Sequence, residues 1–202
     1  RRFIRCAAGL AMFGTGIALF VESHLGVPPW DVFHQGIEQI TGLPLGTNIV
    51  VVSFGVLLLW VPLRIRPGLG TLMNAIEIGL VENVAQELLP SPHNPVARLL
   101  FLALGMLAIA AGSGLYIGAE LGSGPRDGLM LGINARFGIS IRAARTAVEV
   151  TVMLVGLALG GTIGLGTFVF AFGIGPLVQV TLGLFRMSPS QREAAEGEAL
   201  EG

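Results

Sequence analysis

Apolar and polar positions in this chain fall into long blocks. Six stretches of mostly apolar residues, each close to the roughly 20 a helix needs to cross hydrocarbon, run at about 4–23, 45–63, 69–89, 98–119, 143–160 and 164–184. The third, "LGTLMNAIEIGLVENVAQELL", is the least apolar and suits a bundle interior better than a lipid-facing position. Two short polar segments interrupt the pattern. "PPWDVFHQGIEQITG" lies between the first and second stretches, and "GPRDGLMLGINARFG" between the fourth and fifth. Both are too short and polar to span. Residues 188–202 are polar, lack aromatics and are expected to be a disordered cytoplasmic tail.

Composition supports a membrane reading. The chain of 202 residues is 52% hydrophobic, only 12% charged, and has 30 glycines; its mean hydropathy is +0.76. A soluble domain carries about 25% charged residues. Glycine is frequent where membrane helices approach closely. The first stretch follows Arg1, Arg2 and Arg5 and could mimic a signal peptide, but it is too long for one and further spans follow. The sequence opens at Arg1 rather than Met, so a preceding piece is expected. The single cysteine, Cys6, rules out an intramolecular disulfide.

Arginines set an expected orientation. Clusters at 1–5, 64–66, 126–145 and 186–192 precede the first stretch, separate the second from the third and the fourth from the fifth, and follow the sixth. The connections near 24–44, 90–97 and 161–163 carry none. The positive-inside rule then puts both termini in the cytoplasm, with the chain in the plasma membrane.

A repeat runs through this pattern. "LGVPPWD" at 25–31 is echoed by "LGSGPRD" at 121–127, and Asp31 and Asp127 differ by 127 − 31 = 96 positions. The same shift pairs Gly9 with Gly105, Gly16 with Gly112, Gly42 with Gly138, and "GLGT" at 68–71 with "GLGT" at 164–167. A gapless register of this length predicts duplication. Three crossings per half place the second half upside down. The expected fold is therefore an all-α membrane protein with six transmembrane helices as two inverted three-helix repeats, 1–96 and 97–187. Each half holds a short helix opened by Pro29 or Pro125, either interfacial or re-entrant.

Polar residues in an apolar setting mark the candidate site. Asp31 and Asp127 fall in the first turns of the short helices, where a carboxylate meets free backbone N–H groups. His34 follows Asp31 by three residues. Asn74 and Glu77 lie near the middle of the third stretch, and Arg145 and Glu149 are four apart on the fifth. Ionisable groups at membrane depth are costly and point to function by default. An internal salt bridge for the latter pair and hydrogen-bond glue for the former are the structural alternatives. No motif for nucleotide binding, hydrolysis, a metal or nucleic acid occurs. No cofactor and no enzyme activity are expected.

The order of a first span, "LGVPPWD", a short helix, "TGLPLGT", a span and "RPGLGTLMN" resembles the bacterial YczE/YyaS/YitT-type integral membrane proteins over about residues 3 to 186. Two departures stand out: Pro28 replaces the usual glycine before Pro-Trp-Asp, and Arg126 stands where the first copy has Trp30. The resemblance implies location and fold more than mechanism. The leading expectation is a transporter or channel-like protein for a small solute or ion, partnered by the lipid bilayer. The alternative is a non-transporting accessory or substrate-binding subunit, working as a homodimer or with a partner membrane subunit.

Overall fold

The computed structural model describes residues 1–185, so the tail, Arg186 and Arg192 lie outside the described residues. Among these the chain forms eight helices and no strand: α1 (Arg2–Glu22), α2 (Pro29–Thr41), α3 (Leu45–Leu63), α4 (Leu69–Leu88), α5 (Pro95–Gly118), α6 (Pro125–Phe137), α7 (Ile141–Ala158) and α8 (Leu165–Phe185). Four of them, α1, α3, α5 and α8, are long and apolar enough to cross a membrane. α4 carries Asn74, Glu77 and Glu82, and α7 carries Arg142, Arg145 and Glu149. Those groups separate the two helices from the other four by composition. Leu58, Val61, Phe172 and Leu184 are each more than 70% exposed. A surface this apolar fits lipid and not water.

The interior is built on α1 and α5, which cross tightly. A Cβ at Gly9 would stand 2.8 Å from the Gly112 carbonyl oxygen, and one at Gly16 2.9 Å from that of Gly105. The pairing runs 9 to 112 and 16 to 105, so the helices are antiparallel. α4 packs beside α1, and α8 beside α5. α2 lies on α7, and α6 on α3.

The offset seen in the sequence recurs in the geometry. The second, third and fourth helices of each half begin 125 − 29, 141 − 45 and 165 − 69 residues apart, in each case 96. α2 and α6 both open on proline and end before a left-handed glycine, Gly42 (φ 70) or Gly138 (φ 68). Contacts between halves come in exchanged pairs. The Gly70 N–H donates to the Leu121 carbonyl at 2.8 Å, and the Gly166 N–H to the Leu25 carbonyl at 2.7 Å. Here 166 is 70 + 96 and 25 is 121 − 96.

One seam breaks this pattern. α3 is sealed against α4: a Cβ on either Gly46 or Gly79 would penetrate the carbonyl oxygen of the other. Asn83 bolts the seam, its Oδ1 accepting from the Gly46 N–H at 2.9 Å and its Nδ2 donating to Thr47 Oγ1 at 3.0 Å. The corresponding helices α7 and α8 form no packed seam. The positions that match Gly46, Thr47 and Asn83 are Arg142, Ala143 and Gln179. Gly175, which matches Gly79, has no neighbour within 4 Å of its Cβ direction. Arg142 in place of Gly46 and Ala143 in place of Thr47 remove the glycine and the hydroxyl that would close this side.

Arg98 is the exception to the arginine bias. It sits in the first turn of α5, at the end opposite the other basic clusters, and its Nε donates to the Pro92 carbonyl at 3.2 Å. Local hydrogen bonding accounts for its position.

Candidate functional site

The N-terminal halves of α2 and α6 turn into the protein, which brings their first-turn residues inward. Pro29, Trp30, Asp31, Val32 and His34 are buried, whereas Ile40 is 66% exposed. The N-terminal half of α2, apolar and polar residues alike, is therefore enclosed by protein, and its C-terminal end, Gln39 to Thr41, faces out. α6 is pinned by the Trp60 indole N–H, which donates to the Pro125 carbonyl at 3.0 Å. The ring covers Gly128, where a side chain would not fit.

All eight helices contribute to one internal cavity of about 300 Å³. Its walls are mostly apolar, including Phe13, Ile17, Ile49, Ile109 and Phe170. The polar groups converge from both halves: Asp31, Ser53 and Asn74 from the first, and Ser113, Tyr116, Arg126, Asp127, Arg145, Glu149 and Gln179 from the second. Apolar walls with a few placed polar groups are the usual make-up of a small-molecule site.

Each acid has a dedicated partner. Asp31 Oδ1 pairs with His34 Nδ1 at 2.9 Å, both side chains being essentially inaccessible. Burial lowers the His34 pKa, outweighing the hydrogen bond to Asp31 that raises it, and the charge of Arg126 adds to the lowering. A neutral ring donating from Nδ1 fits this balance. The Tyr116 hydroxyl donates to Asp127 Oδ2 at 2.9 Å. Arg145 Nε donates to Glu149 Oε1 at 2.9 Å on the exposed side of the cavity, where Arg145 is 48% accessible.

Arg126 is different. Its guanidinium lies over the Trp30 ring, 4.9 Å from the centroid. It makes no hydrogen bond or ion pair among the described residues. Burial lowers its pKa, while the charges of Asp31 and Asp127 raise it. Trp30 and Arg126 are the same position in the two halves, since 126 − 30 is 96, so a mismatch in the sequence repeat becomes a stacked pair in space.

Of the residues expected from sequence, Asp31, Asn74, Asp127, Arg145 and Glu149 line the cavity together. His34 stands behind Asp31 and holds it. Glu77 is not among the lining residues; it is half-buried on the side of α4 that faces Cys6 of α1. Arg126, Tyr116 and Trp30 also line the cavity, beyond the residues that the sequence marks as candidates. Arg126 was legible as the one charged departure between the two copies of the motif. Three or more metal-ligating side chains do not cluster among the described residues.

Replacing His34 with alanine is expected to cost about 2–4 kcal/mol, because it strands a buried carboxylate. Asp31→Asn added to His34→Ala should recover part of that loss. Unfolding in detergent micelles measures both. A double variant as unstable as the single would show that Asp31 does not depend on His34.

These features define a helical integral membrane protein with a polar cavity at the meeting point of its two halves. The chain belongs to a family described as of unknown function, DUF6198, whose model matches residues 1–182. It is similar to an uncharacterized protein of Haemophilus influenzae, with 42% identity over 180 residues covering 89% of this chain and 83% of the relative. It is also similar to the uncharacterized membrane protein YczE of Bacillus subtilis, with 32% identity over 177 residues covering 87% and 82%. The Bacillus subtilis protein YyaS is 25% identical over 170 residues, covering 82% and 85%. These relatives bear out the resemblance carried by "LGVPPWD" and "RPGLGTLMN". No solved structure matches.

Proposed function

We propose that this protein is a transporter that moves a small solute across the plasma membrane by exposing the central cavity to one face and then the other. On this reading α4 and α7 cross the membrane with the other four long helices, the two halves are inverted, and both termini are cytoplasmic. The protein carries its solute without covalent chemistry. α4 and α7 fit membrane depth on this reading because Glu82 is buried in protein and Asn74, Arg145 and Glu149 line the cavity.

The observation that carries this reading is the unequal pair of seams. The α3·α4 seam is sealed and the corresponding α7·α8 crevice is open beside the cavity. An inverted pair that holds its halves in two different arrangements is what a rocking transporter presents in one state of its cycle. Exchanging the two arrangements would open α3 from α4 and close the crevice. On this reading, with the arginine-rich ends inside, the open crevice faces the cytoplasm.

Single cysteines at Ser53 and Ser113, in a Cys6→Ala background, test this with membrane-impermeant thiol reagents on vesicles of both orientations. Both side chains line the cavity and are buried. Modification from either face is expected. Modification from only one face would defeat transport and favour the accessory or substrate-binding subunit. His93→Cys and Ser140→Cys, both at exposed positions outside the long helices, should label from opposite faces. Labelling from the same face would refute the six-span arrangement.

A further inference from the structure

We propose that the cavity binds a compact zwitterion of the α-amino acid kind, with Arg126 receiving its carboxylate and Asp31 and Asp127 its ammonium. This rests on the transporter reading only in taking the cavity as a solute site.

The charges are arranged as two signs held apart, not as a finished network. Arg126 has a planar fork of donors suited to a carboxylate. Trp30 covers one face of that fork and leaves its edge without a partner. Asp31 and Asp127 each have one oxygen engaged, by His34 and by Tyr116, and their other oxygens have no hydrogen bond among the described residues. Neither acid closes an ion pair with Arg126, although both lie within electrostatic reach of it. His34 and Tyr116 hold them in place instead.

This pattern discriminates among ligands by charge. A simple cation would satisfy the acids but leave Arg126 unpaired beside a second positive charge. A simple anion would satisfy Arg126 but would face Asp31 and Asp127, Glu149 being paired with Arg145. A neutral molecule would leave both signs desolvated. A zwitterion alone pairs with both. The volume of about 300 Å³ is at the low end for binding cavities and suits a molecule of amino-acid size. The apolar wall formed by Ile49, Ile109 and Phe170 leaves room for an aliphatic or aromatic side chain.

The test is the melting temperature of the purified full chain in detergent with each of the twenty standard L-α-amino acids. For the best of them, the matching deaminated acid and decarboxylated amine are then compared. At least one amino acid is expected to raise the melting temperature, and both truncated analogues to bind about 10–100-fold more weakly, as expected for loss of a charge-assisted contact. Arg126→Gln should remove the preference for the amino acid over its amine. Asp31→Asn should remove the preference over its deaminated acid. A merely structural role for either residue would change stability without exchanging these preferences. If either variant fails to fold, the analogue series on the unaltered protein still decides the matter. No shift with any amino acid, or an analogue that binds as tightly as the amino acid, would overturn the proposal. Binding without uptake into proteoliposomes would instead defeat the transporter reading alone. Cavity cysteines that label from both faces while no amino acid binds would defeat this inference alone.

Discussion

Gly112→Leu is expected to abolish the folded protein. α1 and α5 approach so closely that even a Cβ at Gly112 would meet the Gly9 carbonyl oxygen at 2.5 Å and the Phe13 nitrogen at 2.8 Å. Both are backbone atoms, so no rotamer change relieves the clash. The helices would have to part, and with them the surroundings of Leu10, Ile17, Ile109 and Ala110, all almost fully buried. Van der Waals packing, and not a hydrophobic driving force, holds helices together in lipid, so a small separation forfeits much of the attraction. Gly112→Ala should cost about 1–3 kcal/mol by overpacking alone. Leucine adds three carbons with nowhere to go. Size-exclusion chromatography in detergent should show aggregate for Gly112→Leu and a weakened but folded monomer for Gly112→Ala. Gly55 is the control: it lies on α3 with nothing within 4 Å of its Cβ direction, and Gly55→Leu should run as the unaltered protein. A folded, stable Gly112→Leu would mean that α1 and α5 do not cross as described.

The sequence carried more of this fold than of the site. Glycines 9 and 16, matched by 105 and 112, mark the duplication in the sequence, but their part in the α1·α5 crossing shows only in the geometry. Pro29 and Pro125 marked helix starts because a missing N–H harms nothing in the first turn. The meeting of Asp31 and Asp127 at one cavity was legible only as symmetry, since nothing local says that two helix starts 96 residues apart converge. Asn74 and Glu77 show where local reasoning stops. Three residues apart on α4, they share a broad helix face. Yet Asn74 reaches the cavity near Gly124, while Glu77 is turned toward α1. That rotation is set by the packing of α4 between α1 and α3, which no pattern within α4 records. Arg126 was hidden for a different reason. Its value lies in stacking on its own repeat counterpart, which a linear comparison registers only as a mismatch. The open crevice could have been anticipated from Gly46 and its counterpart Arg142, because a helix pair that relies on glycine cannot close in the same way on arginine.

Gly79→Leu and Gly175→Leu should give opposite results, although the two glycines occupy the same place in the repeat. Gly79 lies against the Gly46 carbonyl, and a Cβ there would also press Val50 Cγ2 at 2.7 Å. Leucine at 79 must force α3 from α4 and break the Asn83 bonds to Gly46 and Thr47. The expected loss is at least about 1–3 kcal/mol. Gly175 faces open space, so leucine there should leave stability unchanged or raise it by up to about 1 kcal/mol through helix propensity. The difference extends to access. Wedging the α3·α4 seam should increase modification of a cysteine at Ser53 from the face where α3 begins, because the cavity then opens on that side. Leucine at 175 narrows the crevice between α7 and α8, so it should slow modification of the same cysteine from the face where α7 begins. Melting curves and labelling rates on three proteins, the Ser53→Cys parent and the same chain with either leucine, read both effects. Equal behaviour of the two variants would mean that the halves are alike in the membrane. A destabilised Gly79→Leu with unchanged labelling would make the seam a structural joint and not a gate. Only paired changes, in opposite directions and from opposite faces, are what a cavity that alternates between two closures produces.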